Sequence, residues 1–295
     1  SGTFTTSNTI SGNVLNLARH EIVPSNSLAY NSAGGAISGT GASASVSFSP
    51  GTGSNRMLVV AFSMSSTDTT TDVITDIDYG GINLTQLCTG TNTNNSHLEI
   101  WYLLESDLAT LSGSNSLAIT VGDSQSLVWS GQSLFYENVN QTTPFGSCST
   151  ENIQTAAGTT TNHIVTGRIA SSSGELTLGV FARDTINSTT VTAVTGTSRG
   201  TANSSYPGAV SEQAGGGTLT HGWRLSTNKD TVAVGVAIKP AAATVLTLSG
   251  ALAKISSTCA ASGSGTCTDS SSLLSLTRNN DSSAAILDIT KTAGA

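Results

Sequence analysis

Short runs in which apolar and polar side chains alternate with a period of two recur along this chain, separated by clusters of Gly, Ser, Asn, Asp or Pro. Asn55-Arg56 opens the run Met57-Leu58-Val59-Val60-Ala61-Phe62. Apolar on both faces, this run predicts a central strand held between two layers. The stretch Asp76–Thr85 predicts a tight hairpin, because Gly80-Gly81 can take positive φ at both central positions of a type I′ turn. With those two as the loop, Tyr79 faces Ile82, Asp78 faces Asn83 and Ile77 faces Leu84. Ile77, Tyr79, Ile82 and Leu84 then share one face, and the polar side chains share the other. Leu98–Leu104 predicts a strand with Leu98, Ile100, Tyr102 and Leu104 on one face and Glu99, Trp101 and Leu103 on the other.

Further strands are predicted at Ala44–Phe48, Leu117–Val121, Leu127–Tyr136 (with Gly131 as a bulge), His163–Ile169, Leu176–Ala182, Thr189–Val194 and Val232–Ile238. In the last of these, Val232, Val234, Val236 and Ile238 alternate with Ala233, Gly235 and Ala237, a small-residue face that predicts close packing against another layer. Residues 89–95, 137–157 and 195–217 read as connections. No long window has the 3.6-residue period of a helix. The expected fold is therefore all-β, a two-sheet jelly-roll-type β-sandwich with N- and C-terminal strand extensions.

Three segments are expected. Residues 1–35 form a polar N-terminal extension with short extended stretches at Thr3–Thr6 and Val14–Ala18. Residues 36–240 form the β-sandwich domain. Lys239-Pro240 and Ala241-Ala242-Ala243 mark a boundary, and 241–295 form a C-terminal β extension, a candidate intersubunit strand region. That extension holds strand candidates at Val245–Leu248, Leu273–Leu276 and Ile286–Ile289, with too few large apolar side chains for a core of its own. Any order in the two extensions must be borrowed from the sandwich or from a neighbouring molecule.

Charge narrows the choice of partners. Only 10% of the 295 residues are charged and the formal net charge is −7, with 11 Lys plus Arg, against about 25% charged residues in ordinary domains. These cations are scattered singly, so nucleic acid is not an expected partner. No apolar run approaches the roughly 18 residues of a membrane helix, so no membrane span is expected. The chain opens Ser-Gly-Thr-Phe, as a mature secreted product would. The expected location is secreted, extracellular or cell surface. The 4 cysteines lack metal-type spacing and read as two disulfides, Cys88–Cys148 and Cys259–Cys267; four free thiols are the alternative. Asn83, Asn94, Asn140, Asn187, Asn203 and Asn280 begin Asn-x-Ser/Thr sequons that permit glycosylation.

The segment Gly53-Ser54-Asn55-Arg56-Met57-Leu58-Val59-Val60 resembles part of a module that recurs in bacterial extracellular proteins. So do the hairpin Tyr79-Gly80-Gly81-Ile82-Asn83-Leu84-Thr85, the strand Glu99-Ile100-Trp101-Tyr102-Leu103 and the closing strand Val232–Pro240. The resemblance spans Ala36 to Pro240 and implies a jelly-roll-like surface sandwich with no defining activity. It does not reach either extension.

Each chemistry-bearing residue has a structural alternative. A glycoside hydrolase needs two facing carboxyls, for which Glu99, Glu137, Glu175, Asp123 and Asp184 are the candidates; solvated strand-face or turn residues are the alternative. His20, His97, His163 and His221 have no metal-ligand spacing, and no Gly-x-Ser-x-Gly elbow presents a nucleophile. Asp68, Asp72, Asp76 and Asp78 are calcium candidates without EF-hand spacing. Trp101 and Trp129 lie in apolar strands and read as core. Trp223, with Tyr206, is the candidate for stacking on a glycan. Arg56 reads as an anchor whose fork binds carbonyls or a carboxylate at a sheet end.

No catalytic residue, cofactor or metal is expected. The favoured expectation is a non-enzymatic structural subunit of a filament or pilus-like homopolymer, held by intersubunit β-strand addition. A carbohydrate-binding or adhesive module, with glycans or a host surface as partner, is the first alternative, and a glycoside hydrolase the second.

Overall fold

The computed structural model describes residues 27–65, 74–92, 96–122, 128–153, 163–183, 191–193, 195–200, 208–226 and 230–242. The chain divides into two compact units, Ser1–Leu246 and Thr247–Ala295. The second unit lies outside the described residues, as do Cys259 and Cys267 and the strands expected beyond residue 242.

The described strands run, in chain order, β1 Ala29–Thr40, β2 Ser43–Phe48, β3 Met57–Ser65, β4 Ile74–Tyr79, β5 Ile82–Asn83, β6 Thr85–Thr91 and β7 Ser96–Leu104. One short helix, α1 Glu105–Leu108, precedes β8 Asn115–Val121, β9 Val128–Glu137, β10 Ser149–Ile153, β11 His163–Val165 and β12 Ile169–Ser171. The remainder are β13 Leu176–Arg183, β14 Val191–Ala193, β15 Thr197–Gly200, β16 Gly208–Ala214, β17 Gly217–Leu219, β18 Gly222–Leu225 and β19 Thr231–Ile238.

These strands form antiparallel sheets: sheet I (β1-β9-β3-β7-β6), sheet II (β10-β19-β13-β16-β15), sheet III (β2-β8-β4-β5), sheet IV (β11-β18-β14) and sheet V (β12-β17). The all-β sandwich expected from the alternation is present, with sheets I and II as its facing pair. Each of those two sheets also carries a further layer on its outer face.

Side-chain alternation explains the layering. Met57, Val59, Ala61, Leu98, Ile100, Leu134 and Tyr136 of sheet I meet Leu178, Val180, Val232, Val234, Val236 and Ile238 of sheet II in one core. Leu58, Val60, Phe62, Met64, Trp129 and Phe135 point the other way and meet Ile77, Tyr79, Leu117 and Ile119 of sheet III. The β3 run is buried from Met57 to Met64, as expected of a strand with no water-facing side. The Gly80-Gly81 hairpin has φ of 63° and 80° and pairs Tyr79 with Ile82 and Asp78 with Asn83, the register its sequence predicts.

The small-residue face of β19 also packs as expected. Trp223 joins Phe181, Ala209 and Ala233 in a third core. A Cβ on Gly179 would collide with the His221 ring, and one on Gly235 with Ile169. Small side chains on the outer face of sheet II thus let sheets IV and V approach its backbone.

Several expectations need correction. The boundary at 35/36 falls inside β1, which pairs with β9 from Ala29 onward. Gly131 is no bulge: it pairs with Phe62 in unbroken register, and a Cβ there would stand 2.5 Å from the Phe62 ring. His163–Ile169 is two strands in different sheets. The connection expected over 195–217 contains β16, whose first residues, Gly208–Glu212, are buried. Its Gly, Ala and Ser residues fit between layers where larger ones would not, and their low hydrophobicity hid the strand. The connections expected over 89–95 and 137–157 contain part of β6 and all of β10.

The Cys88–Cys148 disulfide forms, across a sequence separation of 60. It ties β6, the edge of sheet I, to the start of β10, the edge of sheet II, and so clasps one side of the sandwich. On the opposite side Arg199 of β15 bonds Glu212 at 2.7 Å, and its guanidinium lies 3.7 Å from the centre of the Tyr30 ring on β1. Replacing Cys148 with Ser removes a long loop closure, and the chain-entropy model puts the loss at about 4 kcal/mol. We expect a lower urea midpoint for Cys148→Ser and for the reduced wild type; equal midpoints would contradict this role.

Candidate functional site

Three of the groups that bear chemistry lie inside the fold as structural ties. On β7, His97, Glu99 and Trp101 are spaced by two and share the face toward sheet III. Glu99 is fully buried. Its Oε1 accepts from Ile74 N at 3.0 Å and lies 2.8 Å from His97 Nε2. Its Oε2 accepts from Gln86 Nε2 and Trp101 Nε1, each at 2.7 Å. Burial alone would raise this carboxyl, but the donors from His97, Ile74 and Gln86 outweigh it and hold it below its ordinary value. A carboxylate so enclosed has no oxygen left for a substrate; it joins β7 to β6 and to the start of β4.

His221 is also fully buried. Ser211 Oγ lies 2.6 Å from its Nδ1, Thr177 Oγ1 lies 3.0 Å from its Nε2, and its N–H donates to Thr166 Oγ1 at 3.0 Å. A serine beside a histidine suggests a nucleophile, but both are sealed between sheets II and IV. Burial pushes the imidazole down to about 4, against a raising hydrogen bond at Thr177, so it is neutral at pH 7.

Arg56 is the anchor the sequence suggests, with Glu105 as its carboxylate. Its Nη2 lies 2.6 Å from Glu105 Oε1, its own N–H donates to Oε2 at 2.6 Å, and Nη1 donates to Gly51 O at 2.7 Å. The hydrogen bond from Arg56 holds the Glu105 carboxyl below its ordinary value.

The remaining candidates are dispersed. Glu137 ends β9, and Glu175 accepts Ser172 N–H at 2.8 Å within its own turn. Asp123 and Asp184 lie outside the described residues, as do Asp68 and Asp72. Asp76 is exposed, and Asp78 Oδ1 caps the hairpin by accepting Gly81 N–H at 2.9 Å. Among the described residues no three His, Cys, Asp or Glu side chains are placed to hold a metal ion.

Trp223 corrects the stacking expectation. It is fully buried, with its ring centre 5.0 Å from that of Phe181, because the small side chains of sheet II leave a hollow that its ring fills. It therefore presents no face to a glycan. Tyr206, its expected companion, lies outside the described residues. Trp129 is core, and its Nε1 donates to Gly41 O at 2.9 Å. Of the sequons, Asn83 is exposed and Asn140 Oδ1 accepts the N–H groups of Thr142 and Thr143. Asn94, Asn187, Asn203 and Asn280 lie outside the described residues.

Among the described residues the surface offers one pole and one edge. At the pole, Asn138 is left-handed, with φ of 59°. Its Nδ2 donates to Ser27 O at 3.2 Å, its N–H to Ser54 O at 2.9 Å, and its carbonyl accepts Ala241 N–H at 2.7 Å. One residue thus holds the first and last turns of the described sandwich together. Residues 1–26 and 243–295 are attached to the sandwich at this point. A cavity of about 330 Å³ lies beside it, lined by Asn55, Asn140, Gln141 and Ala242 among others. A second, of about 80 Å³, lies between Ser38, Ser63, Gln132 and Gly208. Neither lining includes a carboxylate.

The edge is β2. Other sheet edges are blunted. β6 is held by the disulfide, β1 and β15 are bulged, and Gly167 lies against Ser149 and Thr150 of β10. The edge strands β5, β11, β12, β14 and β17 have three residues or fewer. By contrast, β2 runs six residues against β8 without a register shift.

No protein-family model and no curated protein matches the chain. Among the described residues no helix is long and apolar enough to cross a membrane.

Two predictions follow from the buried ties. His221 titrates at about 4 when folded and near 6.5 when unfolded. The unfolded chain therefore takes up the proton first as pH falls. The stability that depends on a neutral His221 is present above pH 6.5 and declines toward pH 4, by on the order of 3 kcal/mol. We expect the urea midpoint to fall across that window in wild type and to stay flatter in His221→Gln; equal slopes would remove His221 as the cause. Glu99→Gln turns two acceptor oxygens into one acceptor and one donor facing donors. We expect a loss of about 2–3 kcal/mol at pH 7, read as a lowered thermal midpoint.

Proposed function

We propose that this protein is the structural subunit of a secreted or cell-surface homopolymer, a filament or pilus-like assembly held by strands passed between subunits, with no catalytic role. The observation that carries this reading is the tie at Asn138, where the chain on both sides of the described sandwich is attached at one pole. A subunit with both extensions rooted at one pole is polar, and head-to-tail contact between polar subunits builds a filament wherever its rotation does not close a ring. A donated strand joins such subunits through main-chain hydrogen bonds, which need no particular side chains and suit a chain with 10% charged residues.

Further support comes from the chemistry of the interior. Glu99, His221 and Ser211 are consumed by internal hydrogen bonds, and neither cavity offers a carboxylate. The Cys88–Cys148 bond fits an oxidising compartment outside the cell. The adhesive alternative loses its best stacking residue with the burial of Trp223.

The test is negative-stain electron microscopy and sedimentation of the full chain beside variants lacking residues 1–18 or 273–292. The full chain is expected to form polymers. Deleting the donating segment is expected to leave a monomer with native circular dichroism that does not assemble. A full chain that stays solitary, or polymers unchanged by both deletions, would overturn the reading.

A further inference from the structure

The open edge of β2 has the properties of a strand acceptor. Val121 N–H donates to Ala42 O at 2.7 Å, which sets the parity of the ladder. The even residues of β2 bond to β8, and the N–H and C=O groups of Ser43, Ser45 and Ser47 point away from the sheet. The same alternation sends Ala44, Val46 and Phe48 inward, where they pack on the core between sheets I and III and remain only partly buried. Phe48 stacks on Tyr79 with ring centres 4.7 Å apart. The edge therefore combines unpaired main-chain groups with an apolar flank on one side. The strand itself has no Lys, Pro or bulge, and among the described residues no loop covers it, so it lacks the usual protections of an exposed edge.

Residues 243–295 supply the complement in sequence. A strand added to β2 must place apolar side chains at alternate positions beside Ala44, Val46 and Phe48. Beside the three serines its other face meets water, which favours polar side chains. Ala285-Ile286-Leu287-Asp288-Ile289-Thr290 has three apolar residues in that alternation. Laid antiparallel, Ala285 meets Phe48, Leu287 meets Val46 and Ile289 meets Ala44, so the largest side chain faces the smallest along the row. On the water-facing side Asp288 then stands opposite Ser45, whose hydroxyl can donate to it, and Thr290 opposite Ser43; Ile286, opposite Ser47, is the one apolar residue there. Of the other expected strands in the extensions, Val14–Ala18 offers only Leu15 and Leu17 in this alternation, Val245–Leu248 only Leu246 and Leu248, and Leu273–Leu276 only Leu274 and Leu276.

Position and reach are compatible with the match. Only a short loop separates Phe48 from Ser54, whose carbonyl is bonded to Asn138 at the pole, so β2 has one end beside the point where residues 243–295 begin. The 42 residues between Ala242 and Ala285 can extend over on the order of 120 Å even with Cys259 and Cys267 joined, ample to reach an adjacent subunit.

We propose that the outer edge of β2, Ser43–Phe48, accepts Ala285–Thr290 of a neighbouring copy of this chain as an added antiparallel strand. The proposal rests on the assembly reading above and names the two surfaces that join.

Three full-chain variants test it. Ser45→Pro removes an N–H that points away from β8, so the sandwich keeps its ladder while the acceptor is blocked. Leu287→Asp alters only the donor. Each is expected to abolish polymers while keeping wild-type circular dichroism. The third test mixes Ser45→Cys chains with Asp288→Cys chains under oxidising conditions. A disulfide-linked dimer is expected on a non-reducing gel, absent when either variant is incubated alone. If wild type forms polymers while Ser45→Pro and Leu287→Asp assemble normally and no cross-link forms, this pairing is overturned and the assembly reading stands. If a chain carrying both cysteines links only to itself and the mixed single variants do not link, the strand is added within one subunit and the intersubunit claim fails. If wild type never assembles, the assembly reading itself falls.

Discussion

Burial of both faces of sheet I is the constraint from which the architecture follows. A strand such as β3, apolar from Met57 to Met64, has no side that tolerates water, so a layer must cover each face. Sheet III covers one and sheet II the other. Sheet II repeats the problem, with Val232, Val234, Val236 and Ile238 facing sheet I and Ala233, Gly235 and Ala237 facing outward. Size, more than hydrophobicity, governs what lies on that outer face: Trp223, His221 and Ile169 fill hollows that larger neighbours would close. The result is a stack of layers in place of a simple pair.

Deep layering brings polar groups inside, where each must find partners. Glu99 meets four donors and His221 meets two hydroxyls. Residues that look catalytic along the sequence thereby become ties between strands, and their cost appears as sensitivity to acid. The same economy shows at the sheet margins. A chain with few charges cannot protect its edges with lysine, so it uses a disulfide, bulges and an Arg199 latch. β2 lacks all three, and that exception gives the surface its most specific feature.

Much of the fold was legible in the sequence because its causes are local. A period of two identifies a strand, Gly80-Gly81 prescribes a turn, and the turn together with the alternation admits one register. The Cys88–Cys148 pairing was legible by a different route, from an even number of cysteines without metal-type spacing. The sites were less legible. His97, Glu99 and Trp101 stood at alternate positions of one strand, a signal that they share a face, but the donors Ile74 and Gln86 come from other strands. Trp223 beside His221 and Arg224 looked exposed because its neighbours are polar; its burial depends on the small residues of strands distant in sequence. β16 was hidden for a related reason, since Gly, Ala and Ser in a buried strand resemble a loop when read alone.

The sequence by itself determined the class of fold, the central position of β3, the hairpin and the two-faced character of β19, since each follows from side-chain alternation over a few residues. The tertiary structure alone decided how the described layers stack, which polar residues are enclosed, that Asn138 gathers both ends of the described sandwich, and that no described strand pairs with the outer edge of β2. Those properties depend on which strands become neighbours. Neighbours are chosen by the packing of surfaces contributed from all along the chain, and no short window of sequence contains both sides of such a contact.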